Sequence, residues 1–209
     1  MCEPSVISIV DYGIGNVGSV INMLRHIGAP ARLVSTPAEI EAADALILPG
    51  VGHFGYAMDT LDRLRLVEPI RQRVLKDRVP ILGICLGMQL LGQHSEEGDA
   101  AGLGFIQAKF IKIQSPPGSD LKVPHMGWNL VSVQRENPLL SAEGESRFYF
   151  VHSYKAVCER DDEVIATCNH GEEFCCAYGR DNVYGVQFHP EKSHRFGMDL
   201  FRRYVEFAC

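Results

Sequence analysis

A chain of 209 residues with 46% hydrophobic content is long enough to bury a full core, and its length fits one domain over residues 1–209. The formal charge of -6, from 20 Lys and Arg against 26 Asp and Glu, leaves no basic run to track a polyanion, so no nucleic acid partner is expected. No uninterrupted apolar segment approaches the roughly 18 residues of a membrane span, and seven cysteines, an odd number with no C-x-x-C pair, fit neither a disulfide scaffold nor a metal cluster; the expectation is a soluble, cytoplasmic protein with reduced thiols, no metal and no cofactor.

In chain order, apolar runs alternate with amphipathic segments over the first ninety residues. VISIV (6–10) leads through a glycine turn into a helical pattern over 16–28. ARLV (31–34) precedes a short segment opened by Pro37. ALILP (45–49) precedes a helix over about 55–77, and PILGI (80–84) runs into a helix over 86–92. Val-, Ile- and Leu-rich strands alternating with helices predict a largely parallel sheet covered on both faces. From about 103 to 188 the runs GFIQAKFIKI, NLVSVQ, RFYFVHSY, EVIATCN, EFCCAYG and NVYGVQF are short and bounded by Gly, Pro, Asn and charged residues, as in antiparallel strands. A closing helix over about 195–207 carries Phe196, Leu200, Phe201, Tyr204 and Val205 on one stripe.

Three glycine-rich stretches follow strands. GIGNVG (13–18) satisfies G-x-G-x-x-G, yet the acidic residue a dinucleotide site wants at the end of the second strand is replaced by Ser35 and Thr36; a tight packing turn, with Asn16 exposed, is the preferred reading. LPGVGHFG (48–55) is either an oxyanion-binding nest of backbone N–H groups or a plain turn, with His53 structural or solvated. Gly83-Ile84-Cys85-Leu86-Gly87 has the form of a nucleophile elbow, a sharp strand-to-helix turn that lifts Cys85 from the sheet edge, and the helix that follows favours its thiolate.

A cysteine that cleaves an amide needs an imidazole and an orienting carboxylate. QFHPEKS offers His189 and Glu191, which an extended path through Pro190 would point the same way. His26 belongs to the first helix, His94 and His170 to polar loops, and His194 starts the last helix. Cys175 and Cys176, adjacent in a strand, must face opposite ways; Cys158 and Cys168 sit near strand ends, and Cys2 and Cys209 are terminal.

PGVG (49–52), GICLGMQLL (83–91) and GVQFHPEKS (185–193) together resemble the class I (triad) glutamine amidotransferases, and DYGIGN (11–16), PHMGWN (124–129) and YFVHSY (149–154) resemble the glutaminase subunits of imidazole glycerol phosphate synthase. The resemblance covers essentially the whole chain. It implies an α/β, flavodoxin-like fold with a central, mostly parallel sheet flanked by helices, and additional antiparallel strands. It implies Cys85, His189 and Glu191 as the catalytic triad, an oxyanion hole from the N–H of Leu86 with one at Val51 or Gly52, and a glutamine pocket at Gln89, His152, Ser153 and Tyr154. It also implies that ammonia passes to a partner, a (β/α)8-barrel cyclase that turns PRFAR into imidazole glycerol phosphate and AICAR for histidine synthesis, across a heterodimer interface at or near Asn16, Met126, Trp128, Tyr149 and Lys192. Core packing is the other reading of Trp128. His53 stands where the family often has serine, and Lys155 where tyrosine is common. The ending EKSHRFGMDLFRR (191–203) resembles a paralogous branch that supplies ammonia to a sugar-modifying enzyme of surface polysaccharide assembly. A cysteine peptidase of the same fold and a non-catalytic binding module are the readings from other classes; a buried Cys85 far from His189 would mark the second.

Overall fold

The computed structural model describes residues 5–115, 118 and 120–209; Cys2 and the start of the chain lie outside them. The first half alternates β1 (Ile7–Val10), α1 (Val17–His26), β2 (Ala31–Val34), α2 (Pro37–Glu41), β3 (Ala45–Gly50), α3 (Phe54–Arg63), α4 (Val67–Arg71), β4 (Ile81–Cys85) and α5 (Leu86–Leu91). The second half holds β5 (His94–Ser95), β6 (Ala100–Ala101), β7 (Ala108–Lys112), β8 (His125–Val133), β9 (Ser146–His152), β10 (Tyr154–Cys158), β11 (Val164–His170), β12 (Glu172–Arg180) and β13 (Val183–Val186), closed by α6 (His194–Phe207).

Strands β2, β1, β3, β4 and β13 lie side by side, all parallel. That order is the flavodoxin-like one, in which sites form at the carboxyl ends of the strands. β12 continues the sheet antiparallel to β13 and leads on to β10, β7, β5 and β6, while β11, β8 and β9 form an antiparallel branch. The strands alternate their side chains between two apolar layers, as period 2 requires. Ile7, Ile9, Ala45 and Ile47 join Leu200, Phe201 and Tyr204 of α6 on one face; Leu46 and Leu48 join Phe54, Leu61 and Ile70 on the other. Cys176 belongs to the first layer and Cys175 to the second, the opposite facing that adjacency in a strand predicts. Among the described residues no helix is long and apolar enough to cross a membrane.

Several expectations are corrected. The helix expected over 55–77 is broken at 64–66, where Arg65 takes a positive φ of 59°. Pro69 is the reason: it lacks an N–H and fits only a helix's first turn, so α4 restarts two residues before it and finishes as a π turn at Gln72–Lys76. The run from 103 contributes a strand only at β7, and β5, β6 and β10 were not foreseen as separate strands. His94 and His170 lie in strands rather than loops, in β5 and at the end of β11. GIGNVG is a turn with Gly13 and Gly15 at φ 80° and 147°. Thr36 and Glu39, near where a ribose-binding acid would stand, form the reciprocal N-cap of α2.

Candidate active site

β4 delivers Cys85 to the carboxyl edge of the parallel sheet, beside Gly50 of β3. Its φ of 55° and ψ of -112° are a strained combination for a residue with a Cβ, and the flanking glycines explain how it is held. A Cβ on Gly83 would stand 2.7 Å from the backbone of Gly87, and one on Gly87 would stand 1.7 Å from the carbonyl oxygen of Leu48. Only glycines let α5 settle this closely on the strands. α5 starts at Leu86, directly behind the sulfur.

His189 arrives three residues beyond β13, the strand beside β4. Its N–H donates to Tyr149 O (2.8 Å), and Ser193 ties the loop together: its hydroxyl donates to His189 O (2.6 Å) and accepts from Tyr149 N–H (3.0 Å). His189 Nδ1 and Glu191 Oε1 are 2.7 Å apart, with both side chains 2% exposed. The expected extended path holds only for His189; Pro190–Lys192 is a 3₁₀ turn, and the turn brings the carboxylate under the ring. Burial works against a charged imidazole here, but the neighbouring Cys85 sulfur and Glu191 carboxylate outweigh it and push His189 up to about 10. Its Nε2 is buried without a formed hydrogen bond in the chain, as befits a group that serves an incoming molecule. Gln187, fully buried, donates from Nε2 to Cys85 Sγ at 3.7 Å.

The cleft over Cys85 has a volume of about 290 Å³, at the small end of ligand pockets. Val51, Gly52, Leu86, Gln89, His152, Ser153, Tyr154 and His189 all line it with Cys85, so every residue expected in the triad, oxyanion hole and glutamine pocket except Glu191, which stands behind His189, borders one space. Glu97, Pro124 and Val151 also line it and were not foreseen. Tyr12 was missed too; its buried hydroxyl donates to Pro49 O (3.0 Å) and anchors the PGVG strand end.

His152 does not stand alone. Asn129 Nδ2 lies 3.1 Å from His125 Nε2, His125 Nδ1 lies 2.9 Å from His152 Nε2, and His152 Nδ1 lies 2.8 Å from Tyr154 O. Asn129 is oriented by donating to Asn169 O and accepting from Leu130 N–H. Each donor therefore points down the line, fixing both histidines as neutral tautomers. Burial, with the neighbouring imidazoles, lowers His152 to about 3 and His125 to about 4. His125 escaped notice because its partner is 27 residues away and only the β8–β9 register, His125 opposite His152, joins them.

Of the residues expected at an interface, Met126, Trp128 and Tyr149 lie on the same hairpin, on the face opposite His125 and His152. Met126 is 62% and Trp128 43% exposed, which removes core packing as an account of the tryptophan. Trp128 stands edge-on to Tyr149 and stacks on His194 (5.7 Å, 3°), while Lys192 Nζ lies 5.7 Å from the Tyr149 ring. Asn16 begins α1, half-buried and without a capping bond from its side chain. His53 caps α3, accepting from Tyr56 N–H, and Lys155 pairs with Glu172. Among the described residues no cluster of His, Cys, Asp and Glu is arranged to hold a metal.

Comparison with known proteins gives the family. The family described as glutamine amidotransferase class-I matches residues 8–205. Imidazole glycerol phosphate synthase subunit HisH 2 of Pseudomonas aeruginosa is 50% identical over 202 residues, 96% of this chain and 99% of that protein. The protein of the same name from Methanococcus maripaludis is 48% identical over 204 residues, 97% of this chain and 100% of its own. Among solved structures, PurLQS from Thermotoga maritima superposes with a TM-score of 0.76 at 18% identity, covering 99% of this chain and 100% of that one, a likeness of fold. An elbow cysteine facing a carboxylate-held histidine, on a flavodoxin-like sheet matched end to end, makes the chain an enzyme of the class-I glutamine amidotransferase family, similar to HisH subunits.

Proposed function

We propose that this chain hydrolyses glutamine to glutamate and ammonia with Cys85, His189 and Glu191, and delivers the ammonia to a (β/α)8-barrel cyclase acting on PRFAR in histidine synthesis. The observation that carries the reading is the elbow thiol facing an imidazole held charged by Glu191 in a small cleft. The sulfur attacks the side-chain carbonyl of glutamine, and the resulting oxyanion is received by the N–H of Leu86 and one at Val51 or Gly52. His189, an imidazolium at neutral pH, gives its Nε2 proton to the leaving nitrogen, releasing NH3 and leaving a γ-glutamyl thioester. The now neutral ring takes a proton from water, the hydroxide adds to the thioester, and glutamate departs as thiolate and imidazolium are restored. Gln89, His152, Ser153 and Tyr154 hold the substrate.

Ammonia released into bulk water would be protonated and lost, so the reaction calls for a seated partner. Exposed Met126 and Trp128, with Tyr149 and Lys192 beside the triad loop, supply an apolar and aromatic anchor of the type that dominates interfaces. The relatives' names, which call them subunits of a synthase, favour the same reading. The second reading, a sugar-modifying enzyme as acceptor, rests on the resemblance of the ending 191–203 to the paralogous branch, and that ending sets His194 flat on Trp128 within the proposed docking face.

The test measures glutamate release by the chain alone and with the barrel cyclase of the same genome, with and without a PRFAR analogue, using Cys85→Ala as control. Strong stimulation only in the complex, lost in the control, supports the histidine pathway. Hydrolysis indifferent to the cyclase moves the acceptor to the sugar-modifying class, and hydrolysis that survives Cys85→Ala sinks the triad.

A further inference from the structure

We propose that Gln187 is a positioning residue of this site: its side-chain amide stabilises the Cys85 thiolate and at the same time fixes which end of Gln89 faces the substrate. The proposal rests on the glutaminase reading.

Gln187 is 0% exposed. Its backbone N–H donates to Cys176 O (2.8 Å), and its side chain enters the space under the elbow. There Gln89 Nε2 donates to Gln187 Oε1 at 3.0 Å, and Gln187 Nε2 donates to Cys85 Sγ at 3.7 Å. The two amides are mutually constrained. Turning Gln187 alone would set its NH2 against that of Gln89, and turning both would aim a carbonyl oxygen at an anionic sulfur. With the sulfur as thiolate, only the observed arrangement satisfies all three groups.

Two consequences follow. The sulfur gains a hydrogen-bond donor beside the positive charge of the imidazolium, on a side chain that cannot rotate away. Gln89, whose Nε2 is committed, keeps Oε1 for the cleft; that oxygen is buried and unpartnered, on a side chain that is 4% exposed. A bare carbonyl accepts an N–H of an ammonium or carboxamide and repels a carboxylate, so the arrangement favours an amide substrate over its acid product. Of the titratable groups around Cys85, His189 and Tyr12 interact with it electrostatically, Glu97, His152 and Tyr154 border the same cleft, and Glu191 faces His189 from behind.

Two variants separate the roles. Gln187→Met removes both bonds. Gln187→Glu keeps an acceptor for Gln89 but withdraws the donor from the sulfur. The first readout is the pH profile of Cys85 alkylation by iodoacetamide, followed by peptide mass so that Cys209 does not contribute, with thermal melting as the check on folding. Both variants are expected to move the profile to higher pH and to slow alkylation at neutral pH by roughly tenfold or more, the scale of a lost bond to a charged group. KM for glutamine is expected to rise in Gln187→Met and to change much less in Gln187→Glu. In the unaltered chain the Gln187 side-chain amide resonance is expected to shift with the same pH midpoint as Cys85, a readout that needs no variant to fold. Unchanged alkylation profiles in folded variants, or an amide resonance indifferent to the Cys85 titration, overturn the proposal. Hydrolysis that persists in Cys85→Ala overturns the glutaminase reading instead.

Discussion

Lowering the pH from 7 to 5 should destabilise this protein through its buried histidines, and the size of the effect can be worked out group by group. His152 is lowered from 6.5 to about 3 by burial and the adjacent imidazoles. A depressed histidine leaves stability intact above 6.5 and removes it as the pH falls, because the unfolded chain binds the proton first. Between pH 7 and 5 that differential protonation costs about 1.9 kcal/mol for a native value anywhere well below 5. His125, lowered to about 4 with fewer protein atoms packed around it than His152, is taken at half weight, about 1 kcal/mol. His189 has the opposite sign: raised to about 10, it gains about 0.8 kcal/mol over the same interval. The net fall is about 2 kcal/mol. Guanidinium unfolding of the unaltered chain and of His152→Gln at both pH values measures it, and the difference of differences isolates His152 at about 1.9 kcal/mol. Equal stability of the unaltered chain at pH 7 and 5, or an undiminished fall in His152→Gln, would refute the neutral-tautomer line from Asn129 to Tyr154.

Glu191→Gln keeps the shape of the buried pair but removes the charge that holds the imidazolium, so kcat for glutamine hydrolysis should fall by roughly 10²–10⁴-fold and the melting temperature should fall with it, because a buried pair loses one partner; full activity would show that His189 needs no carboxylate. Gly87→Ala puts a Cβ 1.7 Å from Leu48 O, where backbone faces backbone; a loss of about 3 kcal/mol or more is expected in denaturant unfolding, and a variant of normal stability would mean that α5 can lift off the sheet. Trp128→Ala, at a 43% exposed position, should change stability by less than about 1 kcal/mol while abolishing stimulation by the partner; retained stimulation in a titration of glutamate release against cyclase would move the docking face elsewhere.

What could be read along the chain was local and periodic. The parallel strands announced themselves as apolar runs because both of their faces are covered, and the stripe from Phe196 to Val205 marked α6 because one face of it meets the sheet. The elbow was legible for a steric reason: glycines at 83 and 87 are what the close approach of α5 to β3 and β4 demands, so the cysteine between them was picked out by its neighbours. Two-residue strands such as β5 and β6 carry too few positions to show any period, and the break at Arg65 came from one proline inside an otherwise helical pattern. The site's less visible parts failed for another reason. His125 and His152 meet only through antiparallel register, and Gln187 meets Cys85 across 102 residues of chain because β13 lies beside β4. Even the correct pairing of His189 with Glu191 was reached through an extended path, where the chain in fact turns.

These two kinds of legibility divide along the chemistry. Groups expected to make or break bonds carry special backbone requirements, a strained φ at Cys85 or a proline after His189, and such requirements mark a sequence. Groups that hold them, Gln187, Tyr12 and the Asn129–His125–His152 line, act through ordinary rotamers and ordinary strands, so their residue types look like any other core polar residue until the sheet is assembled. The same hairpin carries that line on its inner side and Met126 and Trp128 on its outer side, with one-residue alternation between them. A contact on the outer side chains that displaces the strand would disturb the tautomer-locked bonds that end at Tyr154 in the cleft. On the proposed function this path through β8 predicts that a His125→Gln chain binds its partner normally while losing part of the stimulation that docking produces. Full stimulation in that variant would place the connection in the His189–Ser193 loop, the remaining contact between the triad and Tyr149.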